Sequence, residues 1–433
     1  MRSSALAAVA LIVSACAGAP PAPTVAPTVP PPAAPTASPT SAPTQAPADT
    51  PTAAPATQPD AGQTRVVIDS RGVEVTIPAV VNTVATISDA LVEEVMYALK
   101  VDAKVNTIGS TCLVRDFTYD FTSNSGEKFS YFGGMNPANY LMEYMRDLPF
   151  FIKPGTEMNF EALATAKPDV LIIHAGACTI NWKAGDDAKM NSTLDKLKEL
   201  GIPTVVVYGP NFSGEPSIES LSEAVRIIGQ VFGKGDEAGR LAAYLESQVS
   251  LVKERTKDIA DAQKPRVLIF GLNPNVRKEG GSGSADGLKS IQSYLLENVV
   301  NAKNAFQDDS FSKNLNAEQV LALDPDVIIL PTANGYHPPR ELYDTPDFKN
   351  LATMRAIQER RIASLPWSPC NCDKRLEYPI DVMVMAKAIY PDKFEDVNLE
   401  QWLIEFFKTV YSVDDETADG LLSALWMDWV REP

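Results

Sequence analysis

The sequence predicts an α/β protein of two similar lobes with mostly parallel sheets, joined by one long helix and separated by a ligand cleft. Three observations carry this reading. Glu161-Ala-Leu-Ala-Thr-Ala-Lys-Pro-Asp-Val-Leu-Ile-Ile and Glu318-Gln-Val-Leu-Ala-Leu-Asp-Pro-Asp-Val-Ile-Ile-Leu place Glu, Pro, Asp and an apolar run in one register, 157 positions apart. Each phrase reads as a short helix led by a carboxylate, a Pro-Asp turn that stops it, and a run suited to a buried parallel strand. Strand-length apolar runs alternate with helical patterns along the chain, as in parallel βαβ units. Asp236 to Ala262 is charged, lacks Pro and contains Gly only at Gly239, so it is long enough to cross between lobes and stiff enough to limit their hinging.

At the start, Met1-Arg2 is a minimal basic region, Ala5 to Val13 is apolar but too short to span a bilayer, and Val13-Ser14-Ala15 puts small residues before Cys16. This resembles the lipobox of bacterial lipoproteins, so residues 1–16 are expected to be a lipoprotein signal peptide with Cys16 as the lipidation site. An ordinary secretory signal is the alternative. Residues 17–63 are mostly Pro, Ala and Thr, a composition that cannot bury a core and favours extended conformers. They are expected to be a tether; no basic residue accompanies the prolines, which speaks against a Pro-rich recognition segment.

Residues 64–235 are read as the first lobe. Arg65 to Ile77 alternates around Arg71-Gly72 like a hairpin, Thr83 to Ile87 and Val105 to Ile108 read as strands, and Asp89 to Leu99 as a helix between them. Residues 115–149 are rich in Phe, Tyr, Met, Gly and Asn without clear period, and read as an insertion: a lid over the cleft, or a surface excursion packed by its own aromatics. Val170 to Ile173, a helix over Met190 to Leu200, and Thr204 to Tyr208 complete the sheet. Ser217 to Gln263 is mostly helix, with residues 236–262 as the interlobe connector. The second lobe, 263–433, has strands at Arg266 to Phe270, Val327 to Leu330 and Arg361 to Leu365, and helices at Leu376 to Ile389, Leu399 to Val410 and Asp415 to Val430. Gly280 to Gly287 lacks the Lys and spacing of a phosphate loop and reads as a mobile turn feeding a helix from Leu288 to Glu297.

Lys and Arg number 38 against 55 Asp and Glu, a formal charge of −17, which argues against nucleic acid or an anionic membrane surface as partner. Apart from the leader, the apolar stretches are strand-length, so no transmembrane helix is expected.

Several stretches together resemble the cobalamin and ferric-siderophore group of periplasmic substrate-binding proteins that serve ABC importers. They are Asp69-Ser-Arg-Gly-Val-Glu-Val-Thr-Ile-Pro, Ser88-Asp-Ala-Leu-Val-Glu-Glu-Val-Met-Tyr-Ala-Leu, both Glu-to-Pro-Asp phrases, Phe348 to Pro366, and Glu405-Phe-Phe with Val410-Tyr411. The resemblance covers nearly all of 64–433. It implies two Rossmann-like lobes bridged by one helix, and a monomeric, exported, non-enzymatic protein. Such a protein would be held by lipid in the periplasm or at the outer face of the cytoplasmic membrane. It would capture an iron complex or other metal-containing ligand and hand it to permease subunits. It also implies that Glu161 and Glu318 dock on the permease; physically, two exposed charges on separate rigid lobes make a bivalent plug whose spacing reports closure. Each Glu is equally a favourable anion in the first turn of a helix.

After Cys16 the chain has four cysteines and two histidines in all. Cys112, His174, Cys178, His337, Cys370 and Cys372 are all expected just beyond strand ends, where open α/β sheets bind ligands. Three readings stand side by side. An exported protein oxidises its thiols, and Cys112 with Cys178 is a plausible disulfide between adjacent strand ends. Alternatively Cys112, Cys178, Cys370 and Cys372 ligate a thiophilic metal or an iron-sulfur cluster, with His174 and His337 as added donors. In the third, the thiols merely line a pocket for a siderophore, corrinoid or haem. Trp182 and Trp367 are candidates to stack on a planar ligand, or to pack loop against lobe. Arg115, Arg277, Arg340 and Arg375 are candidates to pair with an anionic chelate.

An exported metalloenzyme using the same cleft is the competing class. No His-Glu-x-x-His, Gly-x-Ser-x-Gly or triad-like grouping supports it, and no catalytic cofactor is expected. A tethered adhesin or scaffold would need neither the cleft nor the paired carboxylates.

Overall fold

The computed structural model describes residues 62–432 except 153–156, 177, 274–275, 277–279, 333–335 and 368–373. The expected signal peptide with Cys16, nearly all of the tether, Arg277, Cys370 and Cys372 lie outside the described residues. Among the described residues, no helix is long and apolar enough to cross a membrane.

The first lobe opens with an antiparallel ribbon, β1 (Thr64–Ile68) and β2 (Glu74–Pro78). The turn joining them explains the Asp69-Ser-Arg-Gly motif. Asp69 is 2% exposed, and its carboxylate accepts from the Arg71 guanidinium at 2.7 Å and from the Val206 N–H at 3.0 Å. The motif therefore stitches the ribbon to the edge of the main sheet. That sheet comprises β3 (Val84–Ile87), β4 (Val105–Ile108), β7 (Val170–Ala175) and β8 (Thr204–Tyr208), all parallel, in the order β4-β3-β7-β8. Helices α1 (Leu91–Ala98), α3 (Phe160–Ala166), α4 (Asp187–Glu199) and α5 (Glu219–Phe232) alternate with the strands. Between β4 and α3, the predicted insertion forms a separate two-stranded ribbon, β5 (Phe117–Thr122) and β6 (Lys128–Gly134), followed by the short helix α2 (Pro137–Leu141).

Helix α6 (Gly235–Thr256) is the predicted connector, 22 residues or roughly 33 Å at 1.5 Å per residue. It stops six residues before the predicted end at Ala262, and a 3₁₀ turn, Asp261–Gln263, leads into the second lobe. Leu241, Leu245, Val249 and Val252 form its buried stripe, set between α5 of the first lobe and α11 (Tyr378–Ile389) of the second.

The second lobe has β9 (Arg266–Gly271), β10 (Gly283–Asp286), β11 (Lys303–Asn304), β12 (Ser312–Leu315), β13 (Val327–Leu330) and β14 (Ile362–Ser364). Their order is β12-β10-β9-β13-β14 with β11 also beside β9; β10 alone of these strands runs against the others, antiparallel to both β9 and β12. Its other helices are α7 (Ile291–Tyr294), which continues as a π turn, α8 (Ala317–Leu323), α9 (Pro339–Tyr343), α10 (Arg355–Gln358), α12 (Leu399–Tyr411) and α13 (Asp415–Ala424).

One expectation needs correction here. The Gly-rich stretch read as a mobile turn contributes a strand, because glycine is needed there for close approach rather than for motion. A Cβ on Gly283 would fall 2.4 Å from the Phe270 ring.

The repeated phrase is repeated in space. Helices α3 and α8 each have seven residues, each is capped by an asparagine accepting from the backbone three residues on (Asn159 from Ala162, Asn316 from Gln319), and each ends on a left-handed residue, Lys167 or Asp324. Glu161 and Glu318 both occupy the exposed first turn.

Candidate functional site

The strand ends of the first lobe converge on Asp89, which is 3% exposed. Asp89 follows β3, Ser110 follows β4, and Thr179 follows β7. Ser110 Oγ donates to Asp89 Oδ1 at 2.7 Å, the Thr179 hydroxyl lies 2.6 Å from the same oxygen, and the Thr179 N–H donates to Oδ2 at 3.2 Å. The Ser110 hydroxyl in turn accepts from the Cys112 N–H at 3.2 Å. Cys112 and Cys178 are joined in a disulfide, which ties the loop after β4 to the loop after β7 beside this network. Next to Asp89, the buried Ala90 has φ 106, a strained left-handed conformation for a residue with a side chain.

The second lobe meets the network through residues 374–377, which follow the undescribed segment after β14. Arg375 Nε donates to the Asp89 carbonyl, and the Leu376 N–H donates to Glu94 Oε2 on α1 at 3.4 Å. Lys374 forms a buried ion pair with Asp381. Glu94 and Glu377, from opposite lobes, lie against each other beside Arg375 and Tyr411. Burial, and then their mutual repulsion, holds the Glu94 carboxyl well above the ordinary range, while Arg375 opposes this. Burial likewise raises Glu377. On the same helix, burial pushes Glu93 up to about 7. His174 is pushed down to about 4 by burial, with Asp89 pulling the other way, so its imidazole is neutral at physiological pH.

The structure treats the sequence candidates unequally. Cys112 and Cys178 take the disulfide alternative, and a disulfide sulfur is not a thiolate ligand, so the expectation that these two hold a metal is corrected. His174 is not beyond its strand but is the penultimate residue of β7, 1% exposed. His337 is fully buried, its Nδ1 3.6 Å from Glu341 Oε2. Trp182 is 3% exposed within the first lobe's core beside the Ile180, Met190 and Phe212 cluster, which is packing and not ligand stacking. Trp367 packs on Phe117 at 4.9 Å and Trp426 at 4.5 Å. Arg115 is exposed at the root of the insertion, and Arg340 sits over the Phe129 ring at 5.0 Å, 3.8 Å from Glu432. Of the three described arginines among those named from the sequence, Arg375 is the one placed at the strand-end network. Among the described residues, no three His, Cys, Asp or Glu side chains are grouped as a metal ion requires.

Sequence reasoning passed over Asp89, Ser110, Thr179, Glu94 and Glu377. A signal existed for the first three: each is a short polar residue within six positions of the carboxyl end of an expected parallel strand.

The periplasmic binding protein family matches the chain over residues 142–369. The molybdate-binding protein MolA of Haemophilus influenzae is 24% identical over 268 residues, 60% of this chain and 72% of its own. An uncharacterized ABC transporter substrate-binding lipoprotein of Bacillus subtilis, YvrC, is 22% identical over 255 residues, 55% of this chain and 67% of its own. Among solved structures, a periplasmic solute binding protein from Veillonella parvula matches with a TM-score of 0.65 and 22% identity, covering 86% of this chain and 99% of that one.

Proposed function

The chain belongs to the periplasmic binding protein family, and on that premise we propose that it captures a metal-containing complex in the interlobe cleft and delivers it to the permease of an ABC importer. The observation that carries this reading is the cross-lobe contact at the strand ends: Arg375 of the second lobe reaches the backbone of Asp89, which gathers Ser110 and Thr179 of the first. A ligand seated there touches both lobes at once, so its binding is linked to their closure.

The chemistry favours a complex over a bare ion. A naked cation needs several converging deprotonated donors. Cys112 and Cys178 are committed to a disulfide, and Asp89 is engaged by two hydroxyls. A ferric siderophore, corrinoid, haem or metal oxyanion brings its own donor shell and asks the protein for hydrogen bonds and charge. The relative MolA, named for molybdate binding, is consistent with the last of these.

Glu161 and Glu318 are the proposed docking points for permease arginines, one on each lobe, both exposed. Lipid attachment at Cys16, the tether to residue 63, and lobes divided by the connector at 236–262 complete the proposal. A relative described as a lipoprotein supports the anchor. The test is charge reversal of Glu161 and Glu318 to Lys together, read as uptake or transporter ATPase stimulation. Loss of either activity with ligand affinity retained is expected; normal uptake by the double variant contradicts the docking assignment.

A further inference from the structure

The insertion begins and ends at the same place in the first lobe. It leaves after β4, and the Ile108 N–H donates to the Pro149 carbonyl at 3.1 Å while the Phe151 N–H donates to the Ile108 carbonyl at 3.2 Å, so its root is closed. Neither β5 nor β6 joins the sheet of either lobe. The ribbon's packing partners instead belong to the second lobe.

Tyr336, Trp367 and Trp426 of that lobe form an aromatic socket: Tyr336 and Trp426 are 4.7 Å apart, Trp367 and Trp426 4.5 Å. Into it the ribbon places Phe117, 4.9 Å from Trp367, and Tyr131, 4.7 Å from Tyr336. Four hydrogen bonds cross the same boundary. Tyr119 Oη donates to the fully buried Glu341 carboxylate, Trp426 Nε1 donates to the Phe132 carbonyl at 3.1 Å, the Asn124 N–H to the Asp344 carbonyl at 2.9 Å, and the Met135 N–H to the Ala424 carbonyl at 3.0 Å. Close approach is built into the sequence, because a Cβ on Gly134 would lie 2.4 Å from the Trp426 ring. The ribbon is thus covalently rooted in one lobe and seated in the other.

Separation of the lobes about α6 with the ribbon in place would tear it from its socket or pull on its root. We propose that the β5–β6 ribbon is an interlobe clasp, and that its release from the Tyr336–Trp367–Trp426 socket is the step that lets the two lobes part. Tyr336 and Trp367 directly adjoin residues 333–335 and 368–373, which follow β13 and β14, so the socket borders the strand-end side of the second lobe. The inference goes beyond the proposed transport role and holds for any ligand.

The Leu376 N–H is a reporter of lobe separation that lies outside the clasp, since it donates across the lobes to Glu94. Its exchange with deuterium in the full chain tests the idea in two directions. Asn124→Cys with Asp344→Cys, oxidised, locks the clasp; exchange in the peptide containing Leu376 is expected to slow by about tenfold or more, and reduction of that bond with the native disulfide mapped as intact is expected to restore it. Tyr119→Ala with Tyr131→Ala loosens the clasp and is expected to speed that exchange about tenfold while strands β3 and β9 keep their protection. Unchanged Leu376 exchange in the locked protein overturns the proposal whether or not the loosened variant folds. Unchanged exchange in a folded Tyr119→Ala, Tyr131→Ala protein overturns it as well.

Discussion

Asp169 and Asp326, 157 positions apart, hold the same place in the two lobes. The Asp169 carboxylate accepts from the Asn82 and Thr83 N–H groups at 2.7 and 3.0 Å, and its own N–H donates to the Thr83 carbonyl at 2.9 Å. The Asp326 carboxylate accepts from the Arg266 N–H at 2.8 Å, and its N–H donates to the Arg266 carbonyl at 2.7 Å. In each lobe the Pro-Asp turn therefore does more than stop a helix: its aspartate fixes the entry of the neighbouring parallel strand, β3 or β9.

Replacing either aspartate by alanine should cost about 1–2 kcal/mol, because charge-assisted hydrogen bonds to strand backbone are lost at half-buried sites where water replaces part of them. Asn should cost less, since its amide keeps one acceptor oxygen. Denaturant midpoints at constant m-value measure this; an Asp169→Ala protein as stable as the wild type would refute it.

The disulfide carries a second expectation. Cys112 and Cys178 close a loop of 66 positions, and removing such a bond costs on the order of 2–5 kcal/mol. The melting temperature should fall on reduction, and Cys112→Ser with Cys178→Ser should lower it without further response to reductant. Peptide mapping of unreduced protein should recover the two residues cross-linked. Both alkylated without reduction would be the contrary result.

How stability varies with pH follows from two buried groups on the first lobe. The Glu93 carboxyl is raised from 4.5 to about 7, so the fold binds this proton more tightly than the unfolded chain does, and its contribution is full below pH 4.5 and declines as pH rises toward 7. Glu94 and Glu377 act in the same direction. His174, lowered from 6.5 to about 4, acts oppositely: its contribution is full above pH 6.5 and is lost as pH falls toward 4. Between pH 4.5 and 6.5 the Glu93 and His174 effects oppose and largely cancel, so Glu94 and Glu377 set the direction and stability should decline as pH rises through that range. Glu93→Gln should make this decline shallower and His174→Gln should make it steeper, as read from urea midpoints between pH 4 and 8. A Glu93→Gln slope equal to that of the wild type between pH 5 and 7 would remove Glu93 from the account.

Much of the fold was legible because it rests on local patterns. The Pro-Asp phrases, the β1–β2 alternation around Gly72 and the uninterrupted 236–256 helix all state their structure within a few residues. The insertion was not legible, since its ribbon is held by aromatics more than 200 positions away, as in Phe117 with Trp367, and its apolar residues follow that distant socket. Strand β10 was missed for a related reason: Gly283 is explained by the Phe270 ring, which lies on another strand. At the candidate site, strand-end position pointed to the loops that carry the Asp89 network but chose the rarer residues in them. Cysteine and histidine drew attention by scarcity, whereas the network is built from Asp89, Ser110 and Thr179, whose roles depend on three strand ends meeting.

The central claim is that a metal-containing complex binds in the cleft between the lobes, and the most direct measurement is a titration of ligand-free protein with ferric siderophores, cobalamin, haem and molybdate. Tryptophan fluorescence and native mass would be followed together, in the wild type and in Ser110→Ala with Thr179→Ala. The account predicts one complex bound at 1:1, with affinity reduced about tenfold or more in the double variant, the loss of roughly one charge-assisted hydrogen bond. Failure of every metal complex to bind, or binding that the double variant leaves unchanged, would contradict it.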